Sequence, residues 1–128
     1  PSVAGEITVA SSKKVYNEGE TVEIRVSGKE LRSVNALSFA LPYDPQALEY
    51  VGTEMTGMKE MRNLTNDRLH TNGTKALYPT FVNIGEKPYL EGDAELMTIK
   101  FKAKRKQKID LNVLDGMLVD KNLNTVKF

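Results

Sequence analysis

Apolar side chains in this sequence recur at every second position, which is the repeat of a β-strand rather than of an α-helix. In residues 21–28, TVEIRVSG, three β-branched residues share one face and polar residues share the other. The same alternation returns in residues 36–43, 47–52 and 94–104. About nine such short segments, with no long helical pattern, predict an all-β sandwich.

The sequence also predicts several local features of the strands and, from the alternation, the side chains that form the core. Pro42, inside one of these segments, predicts an edge strand or a bulge, because proline has no N–H to donate. Residues 109–113 predict another strand, with Ile109, Leu111 and Val113 on one face, followed by a turn or bulge at Asp115. Met55, Met58, Met61 and Leu64 recur every third residue and indicate a helical turn or packed loop. The expected core residues are Val22, Ile24, Val26, Leu37, Phe39, Leu41, Tyr43, Leu48, Tyr50, Met97, Ile99, Phe101 and Ala103.

Composition excludes several classes of protein. The 128 residues fit one domain, and 40% hydrophobic with 27% charged residues is typical of a globular protein. A net charge of +1 gives no global attraction to nucleic acid or to an anionic membrane. The lack of cysteine excludes disulfides, thiol catalysis and thiolate zinc sites. No apolar run is long enough to cross a bilayer, so we expect no membrane insertion.

Nothing in the sequence predicts a catalytic or metal site. His70 is the single histidine, and no GxSxG-type motif accompanies it. Asp120, Asn122 and Asn124 match the start of a calcium-binding EF loop, but Thr125 replaces the expected glycine and the flanking segments resemble strands. We therefore expect no catalytic residue, no metal ligand and no cofactor.

Two surface features suggest interactions. Lysines and an arginine cluster in residues 100–108, as in an anion, heparin or nucleic-acid patch, but the solvated face of one strand plus a hairpin turn is the favoured explanation. Ala36, Ser38 and Ala40 give the outward face of their strand small, uncharged side chains, where a solvated strand usually carries charged ones. Such a face suits cover by another protein or by the chain's own loop. A carbohydrate-binding module is an alternative; tryptophan is absent, so Tyr78 and Tyr89 would be its stacking platforms.

Four segments together resemble those of a cohesin module. They are GETVEIRV at residues 19–26, VNALSFALPYDPQALEYVG at 34–52, AELMTIKFKAK at 94–104, and KIDLNV with DGMLVDKN at 108–122. The resemblance covers nearly the whole chain in the family's order. It implies a nine-stranded jelly-roll sandwich that performs no catalysis and binds a dockerin, a small helical domain on another secreted protein. The calcium would belong to the dockerin partner.

The resemblance also implies a binding face. It consists of the strand before the YDP motif, its sheet neighbours and nearby loops. Where many cohesins carry polar or acidic residues on this strand, the present chain has Ala36 and Ser38, which implies a more apolar interface. In this respect it is similar to the cohesin-like modules of secreted clostridial glycoside hydrolases. The residues so selected are Ala36, Ser38, Ala40, His70, Thr71, Tyr78, Thr80, Asn83 and Tyr89.

These expectations define a single module, residues 1–128, excised from a larger multimodular protein. We expect it to be secreted or surface-exposed, to be monomeric when alone, and to assemble extracellular enzyme complexes. A sugar-binding or adhesin-type sandwich is the alternative. The sequence alone does not separate these readings.

Overall fold

A computed structural model of the chain describes residues 5–57, 61–69, 71, 73–83, 89–110 and 112–128. Within these residues the regular structure consists of β-strands, which confirms the predicted all-β class. The strands are β1 (Glu6–Ser11), β2 (Val15–Tyr16), β3 (Thr21–Tyr43), β4 (Leu48–Met55), β5 (Arg62–Asn63), β6 (Asn66–Leu69), β7 (Lys75–Tyr78), β8 (Thr80–Val82), β9 (Leu90–Ala103), β10 (Gln107–Lys108), β11 (Leu114–Asp120) and β12 (Thr125–Lys127). No helix long and apolar enough to span a bilayer occurs among them.

Strand β3 is 23 residues long and belongs to both layers of the sandwich. Its first half pairs antiparallel with β1 on one side and with β9 on the other, and β4 continues this layer beyond β9. We call this layer, in the order β4-β9-β3-β1, sheet I. The second half of β3 pairs with β11 on one side and with β7 and β8 on the other, and β12, β6 and β5 lie outside these. We call this second layer sheet II.

The passage of β3 between the layers is marked by two residues in the left-handed region. Glu30 has φ 53° and Ser33 has φ 49°, values that L-residues rarely adopt. The Glu30 N–H donates to Asp93 Oδ1 at 2.7 Å, and the Ser33 hydroxyl donates to Glu91 Oε1 at 2.8 Å. These two hydrogen bonds to carboxylates of β9 hold the bend in β3. As a result, β3 is a central strand in both sheets.

The core lies between the inward faces of the two sheets. Eleven of the predicted core side chains are at most 8% exposed, and Leu48 and Tyr50 are partly buried against them. The ring of Phe101 in β9 makes edge-to-face contacts with Tyr43 and Tyr50, at centroid distances of 4.9 and 5.7 Å. The period-two prediction of the core is therefore confirmed.

Pro42 and Pro79, two prolines next to or within the strands of sheet II, have different effects on strand pairing. Pro42 lies in a strand that is central in sheet II as a whole, but at Pro42 the strand is paired on one side only, as the prediction of an edge position requires. The missing N–H is tolerated because the pairing of β3 with β11 ends at Ala40, while Pro42 itself pairs with Ala76 on the other side. Pro79 separates β7 from β8, and its carbonyl accepts the Phe39 N–H at 3.1 Å.

The last third of the chain departs most from the prediction. Residues 109, 110, 112 and 113 are not a strand, although Ile109 and Val113 pack against the core as expected; Leu111 lies outside the described residues. The strand begins at Leu114 and contains the predicted bulge, between Leu114 and Met117. Because of this register shift, Leu114 and Met117 both lie on the face of sheet II that carries Ala40 and Ser38.

The methionine segment is extended rather than helical where the structure describes it. Met55 ends β4 and is partly buried, and Met61 is buried at 5% exposure just before β5. Leu64 is 50% exposed. Met58 lies outside the described residues, so the predicted helical turn is not found in the part of the segment that can be followed.

Candidate partner-binding face

The outward face of sheet II has small side chains along its central strand. Residues directly paired in an antiparallel sheet point to the same side. Ser38 pairs with Met117 of β11 and with Thr80 of β8. Ala36 pairs with Val119 and Val82 in the same way. Each small residue of β3 therefore has a larger side chain on either side of it.

This arrangement forms a shallow trough with β3 as its floor. Neighbouring strands lie about 4.8 Å apart, so the walls on β11 and β8 are about 10 Å apart, close to the diameter of an α-helix. The floor residues Ala36 and Ser38 are half-buried, as are the wall residues. We call this surface the sheet II trough; its members are Ala36, Ser38, Thr80, Val82, Met117 and Val119.

Ala40 extends the floor but is not a solvent-facing position. It pairs with Leu114, the residue before the β11 bulge. Ala40 is 5% exposed, whereas Leu114 is 44% exposed. Ala40 thus lies on the predicted outward face, but its small side chain is nearly inaccessible, and Leu114 forms the outer surface at this end.

The other predicted site residues divide between the trough and its two ends. Tyr78 is half-buried and points outward, because its neighbour Leu77 is fully buried on the inner face. The Asn83 N–H donates to the Asn35 carbonyl at 2.8 Å, which places Asn83 at the Ala36 end. Tyr89 is 41% exposed and precedes Leu90, which pairs with Val34 beyond that same end.

The β6–β7 connection lies at the opposite end of the trough. Thr71 is an exposed turn residue in that connection, which follows Leu69 and precedes Lys75, and Lys75 pairs with Tyr43 at the end of β3. Thr71 is therefore far along the sheet from Tyr89. His70 lies outside the described residues.

Sequence reasoning missed the apolar walls of the trough. Met117 and Val119 face outward while Leu118, between them, is fully buried. The run of three apolar residues at 117–119 was the available signal, because a strand that is apolar on both faces is covered on both faces. The bulge at Asp115, with φ 53°, set the register and obscured that signal.

The outward face of sheet I has a different character. Here oppositely charged residues face each other across strands: Glu23 is opposite Lys100, and Glu49 is opposite Lys102. Lys100 also forms an ion pair with Glu54, Nζ to Oε2 at 3.1 Å. Such a charged mosaic is typical of a solvated sheet face. The apolar face is therefore confined to sheet II.

Three of the six basic residues at 100–108 are engaged by other parts of the chain. Besides the Lys100 ion pair, Lys104 Nζ donates to the Pro45 carbonyl at 2.8 Å, and Arg105 lies 3.4 Å from an Asp44 carboxylate oxygen. These contacts fit the explanation of a solvated strand, whereas the expected hairpin is not found, because β10 pairs with β2. They tie the β9–β10 connection to the turn after β3.

The Asp-x-Asn-x-Asn segment is a hairpin turn between β11 and β12. Asp120 Oδ1 accepts the N–H groups of Asn122 and Asn124, each at 2.9 Å, and Asn124 Nδ2 donates to Oδ2 at 3.3 Å. These hydrogen bonds lower the pKa of Asp120. The carboxylate serves the turn, and no cluster of three or more metal-ligating side chains occurs among the residues that the structure covers.

A second network closes one side of the sandwich. The Tyr43 hydroxyl donates to Asp67 Oδ1 at 2.7 Å, and Lys75 Nζ lies 3.4 Å from Asp67 Oδ2. Burial, followed by the negative charge and hydrogen bond of Asp67, raises the pKa of Tyr43 well above its usual range. The network ties β6 and β7 to the end of β3, so it holds the far side of sheet II in place.

The chain is thus a two-layer β-sandwich with one charged face and one apolar, trough-shaped face. The cohesin domain family model matches residues 5–128, which is nearly the whole chain. The chain belongs to the cohesin family, and cohesin modules are non-catalytic interaction domains. The expected family, jelly-roll sandwich fold and non-enzymatic class are thereby confirmed. A comparison with curated protein sequences finds no match.

Several solved cohesin structures share the fold at low sequence identity. The cohesin module of a Clostridium perfringens family 33 glycoside hydrolase has a TM-score of 0.70 and 13% identity, over 99% of this chain and 91% of that one. The sixth cohesin of Acetivibrio cellulolyticus scaffoldin B, solved in complex with a Cel5 dockerin, has a TM-score of 0.71 and 15% identity, over 98% and 92%. A non-cellulosomal cohesin from the archaeon Archaeoglobus fulgidus has a TM-score of 0.66 and 17% identity, over 95% and 83%.

Proposed function

We propose that this module binds a calcium-loaded dockerin through the sheet II trough. The observation that carries the proposal is the trough itself: small residues on the central strand, flanked by apolar walls one helix diameter apart. Membership of the cohesin family supports the class of partner, and a cohesin of the same fold has been solved bound to a dockerin. A groove of this shape favours docking of an apolar helix face.

The trough residues of the proposed site are Ala36, Ser38 and Thr80, with Tyr78 as the main anchor beside them. Docking of a helical domain here would bury about 1,200–1,600 Å² in total, which is a standard-size interface. A tyrosine next to an apolar, small-residue floor is the kind of residue that dominates such interfaces. Asn83, Tyr89, Thr71 and His70 belong to the proposal as contacts at the ends of the trough.

The remaining expectations follow from this assignment. We propose that the module itself needs no cofactor, the calcium residing in the dockerin, and that it is monomeric when alone, with neither nucleic acid nor membrane as a partner. A secreted or cell-surface location, and a place within a larger multimodular glycoside hydrolase, are supported by the fold neighbour from Clostridium perfringens. The module would then join enzymes outside the cell.

A panel of purified dockerin domains tests the proposal. The module is immobilised and each dockerin is applied with calcium, and again after calcium removal with EDTA. We expect at least one dockerin to bind with calcium and to dissociate with EDTA. The Tyr78→Ala variant should bind that dockerin more weakly than wild type does. The Val51→Ala variant, changed at an exposed position on sheet I, should bind it as tightly as wild type.

The binding experiment, together with a glycan affinity gel, also distinguishes the proposed function from its rivals. Retardation of the folded module in a glycan affinity gel, with no dockerin bound in either condition, would replace the proposal by a sugar-binding function. Absence of all binding would favour an adhesin-type spacer. Equal binding with calcium and with EDTA would contradict the dockerin mechanism.

A further inference from the structure

We propose that the partner of this module carries acidic residues on both sides of an apolar helix stripe. The inference rests on the proposed function and specifies the chemistry of the partner. It follows from the charges that surround the sheet II trough. At the paired, outward positions of sheet II that the structure describes, these charges are all of one sign.

Three basic side chains project from the outward face of sheet II. Arg62 of β5 pairs with Val82, and Lys127 of β12 pairs with Met117, so both point to the same side as the trough. Arg68 of β6 pairs with Ala76, which itself pairs with Pro42 on that face. All three are exposed, and none forms an ion pair with any residue that the structure describes.

The basic residues lie on opposite sides of the floor. Lys127 is two strands from β3 in one direction, through β11, and Arg62 is two strands from β3 in the other, through β8. Each therefore lies about 10 Å from the line of small residues. A helix of about 10 Å diameter in the trough would have a basic side chain on each flank.

No carboxylate balances these charges at the paired, outward positions of sheet II that the structure describes. Asp67 points inward and is held by Tyr43 and Lys75. Asp120 is engaged by the hairpin turn. Asp115 lies at the bulge, next to Leu114 at one end of the sheet. At these described positions the flanks of the trough therefore carry net positive charge.

Sheet I shows that this is not a general property of the surface. Its outward face has both signs interspersed, in agreement with the net charge of +1 for the whole chain. The carboxylates at its paired outward positions are Glu6, Glu23, Glu49, Glu54 and Glu95, and the basic residues there are Lys29, Arg25, Lys100 and Lys102. The one-sign flanks are specific to the apolar face.

The floor and the flanks make different demands on the partner. The hydroxyl of Thr80 already contacts the Tyr78 carbonyl at 3.2 Å, so the centre of the trough presents few free hydrogen-bonding groups. On the floor only Ser38 offers a side-chain hydroxyl, so a charged side chain docked there would lose water with little to replace it. Small apolar residues suit the floor, and Asp or Glu on the two flanks would meet Arg62 and Lys127.

Charge reversal tests the inference with the dockerin that binds most tightly in the panel described above. We compare Arg62→Glu/Lys127→Glu with Arg25→Glu/Lys29→Glu, a double reversal of matched charge on sheet I. Association rates are measured in calcium at low salt and at about 0.3 M salt, where charges are screened beyond about 6 Å. The sequence of the selected dockerin gives the charges that flank its apolar stripe.

We expect the sheet II reversal to slow association about tenfold at low salt and much less at high salt, because steering by exposed charges acts mainly on the association rate. The sheet I reversal should change the rate less than about twofold. Acid-to-lysine changes on the dockerin flanks should restore binding to the reversed module.

Two results would overturn the inference while leaving the proposed function intact. One is a calcium-dependent dockerin whose association is equally unaffected by both reversals. The other is a bound dockerin whose apolar stripe is flanked by lysine and arginine. If no dockerin in the panel binds the wild-type module, the inference and the proposed function fail together.

Discussion

The ring of Phe128 lies directly over Gly116. A Cβ atom at Gly116 would be 2.6 Å from Cδ2 and Cε2 of Phe128 and 2.7 Å from its carbonyl oxygen. The Phe128 N–H donates to the Gly116 carbonyl at 3.0 Å, and its ring makes an edge contact with Phe39 at a centroid distance of 6.2 Å. The end of the chain thus closes the core beside β11, and only glycine leaves room for it.

Gly116→Ala should therefore destabilise the fold. The added methyl meets backbone as well as the ring, and overpacking of this kind costs about 1–3 kcal/mol. Urea unfolding followed by circular dichroism measures the change. The matched control is Gly52→Ala in β4, where nothing lies within 4 Å of the new Cβ. If both variants unfold at the same urea concentration as wild type, the packing of Phe128 on Gly116 is wrong.

Alkaline pH should destabilise the module through Tyr43. Burial first, and then the Asp67 carboxylate, raise the pKa of this phenol in the folded state above its unfolded value of about 10. The resulting stabilisation is complete below the unfolded pKa and is lost as the pH rises towards the folded pKa. Unfolding free energies measured from about pH 8 to about pH 11 show the effect.

Tyr43→Phe is the control for that titration. It removes the hydrogen bond to a charged acceptor, worth about 1.5–3 kcal/mol, so the variant should be less stable at neutral pH. Its stability should also fall less steeply than that of wild type above pH 10 or so. Parallel alkaline curves for the two proteins would contradict the assignment of the effect to Tyr43.

Acid should weaken two turns. Hydrogen bonds from Asn17 and Lys13 lower the pKa of Glu20, and those from Asn124 and Asn122 lower that of Asp120. A carboxyl whose folded pKa is depressed stabilises the fold above its unfolded pKa, and this contribution is lost as the pH falls through the folded value. Glu20→Gln/Asp120→Asn should therefore show a shallower loss of stability than wild type below about pH 4. Thermal unfolding across that pH range measures the loss of stability. If wild type and variant lose stability identically in acid, the two carboxylates do not stabilise their turns.

The core was predictable from sequence because the strand period is a local property. Val22, Ile24 and Val26 alternate with polar residues, and burial of one face then follows from any two-layer packing. Ala36 and Ser38, on the floor of the trough, were predictable from sequence for the same reason. They are small and uncharged at strand positions where a solvated face usually carries charged residues.

The walls of the trough were not predictable, because they depend on register between distant strands. Whether Met117 or Leu118 faces outward is set by the bulge at Asp115, and a shift of one residue would reverse it. The basic flanks have the same origin: Arg62 and Lys127 are 65 positions apart in the sequence and meet only through β8, β3 and β11. The cover over Ala40 likewise comes from Leu114, a residue that no local pattern assigns to it.

The difference in exposure between the Ser38 and Ala40 side chains gives the sharpest test of the binding face. Ser38→Arg places a long, charged side chain on the half-buried floor, where it would obstruct a docked helix and remain free to reach solvent. We expect loss of calcium-dependent dockerin binding with the melting temperature nearly unchanged. Ala40→Arg should abolish binding as well, but with destabilisation of about 1–3 kcal/mol, because Ala40 is 5% exposed and has no room for the chain. Glu23→Arg on the outward face of sheet I serves as the control and should retain full binding. Undiminished dockerin binding by the folded Ser38→Arg variant would show that the partner docks elsewhere on the module.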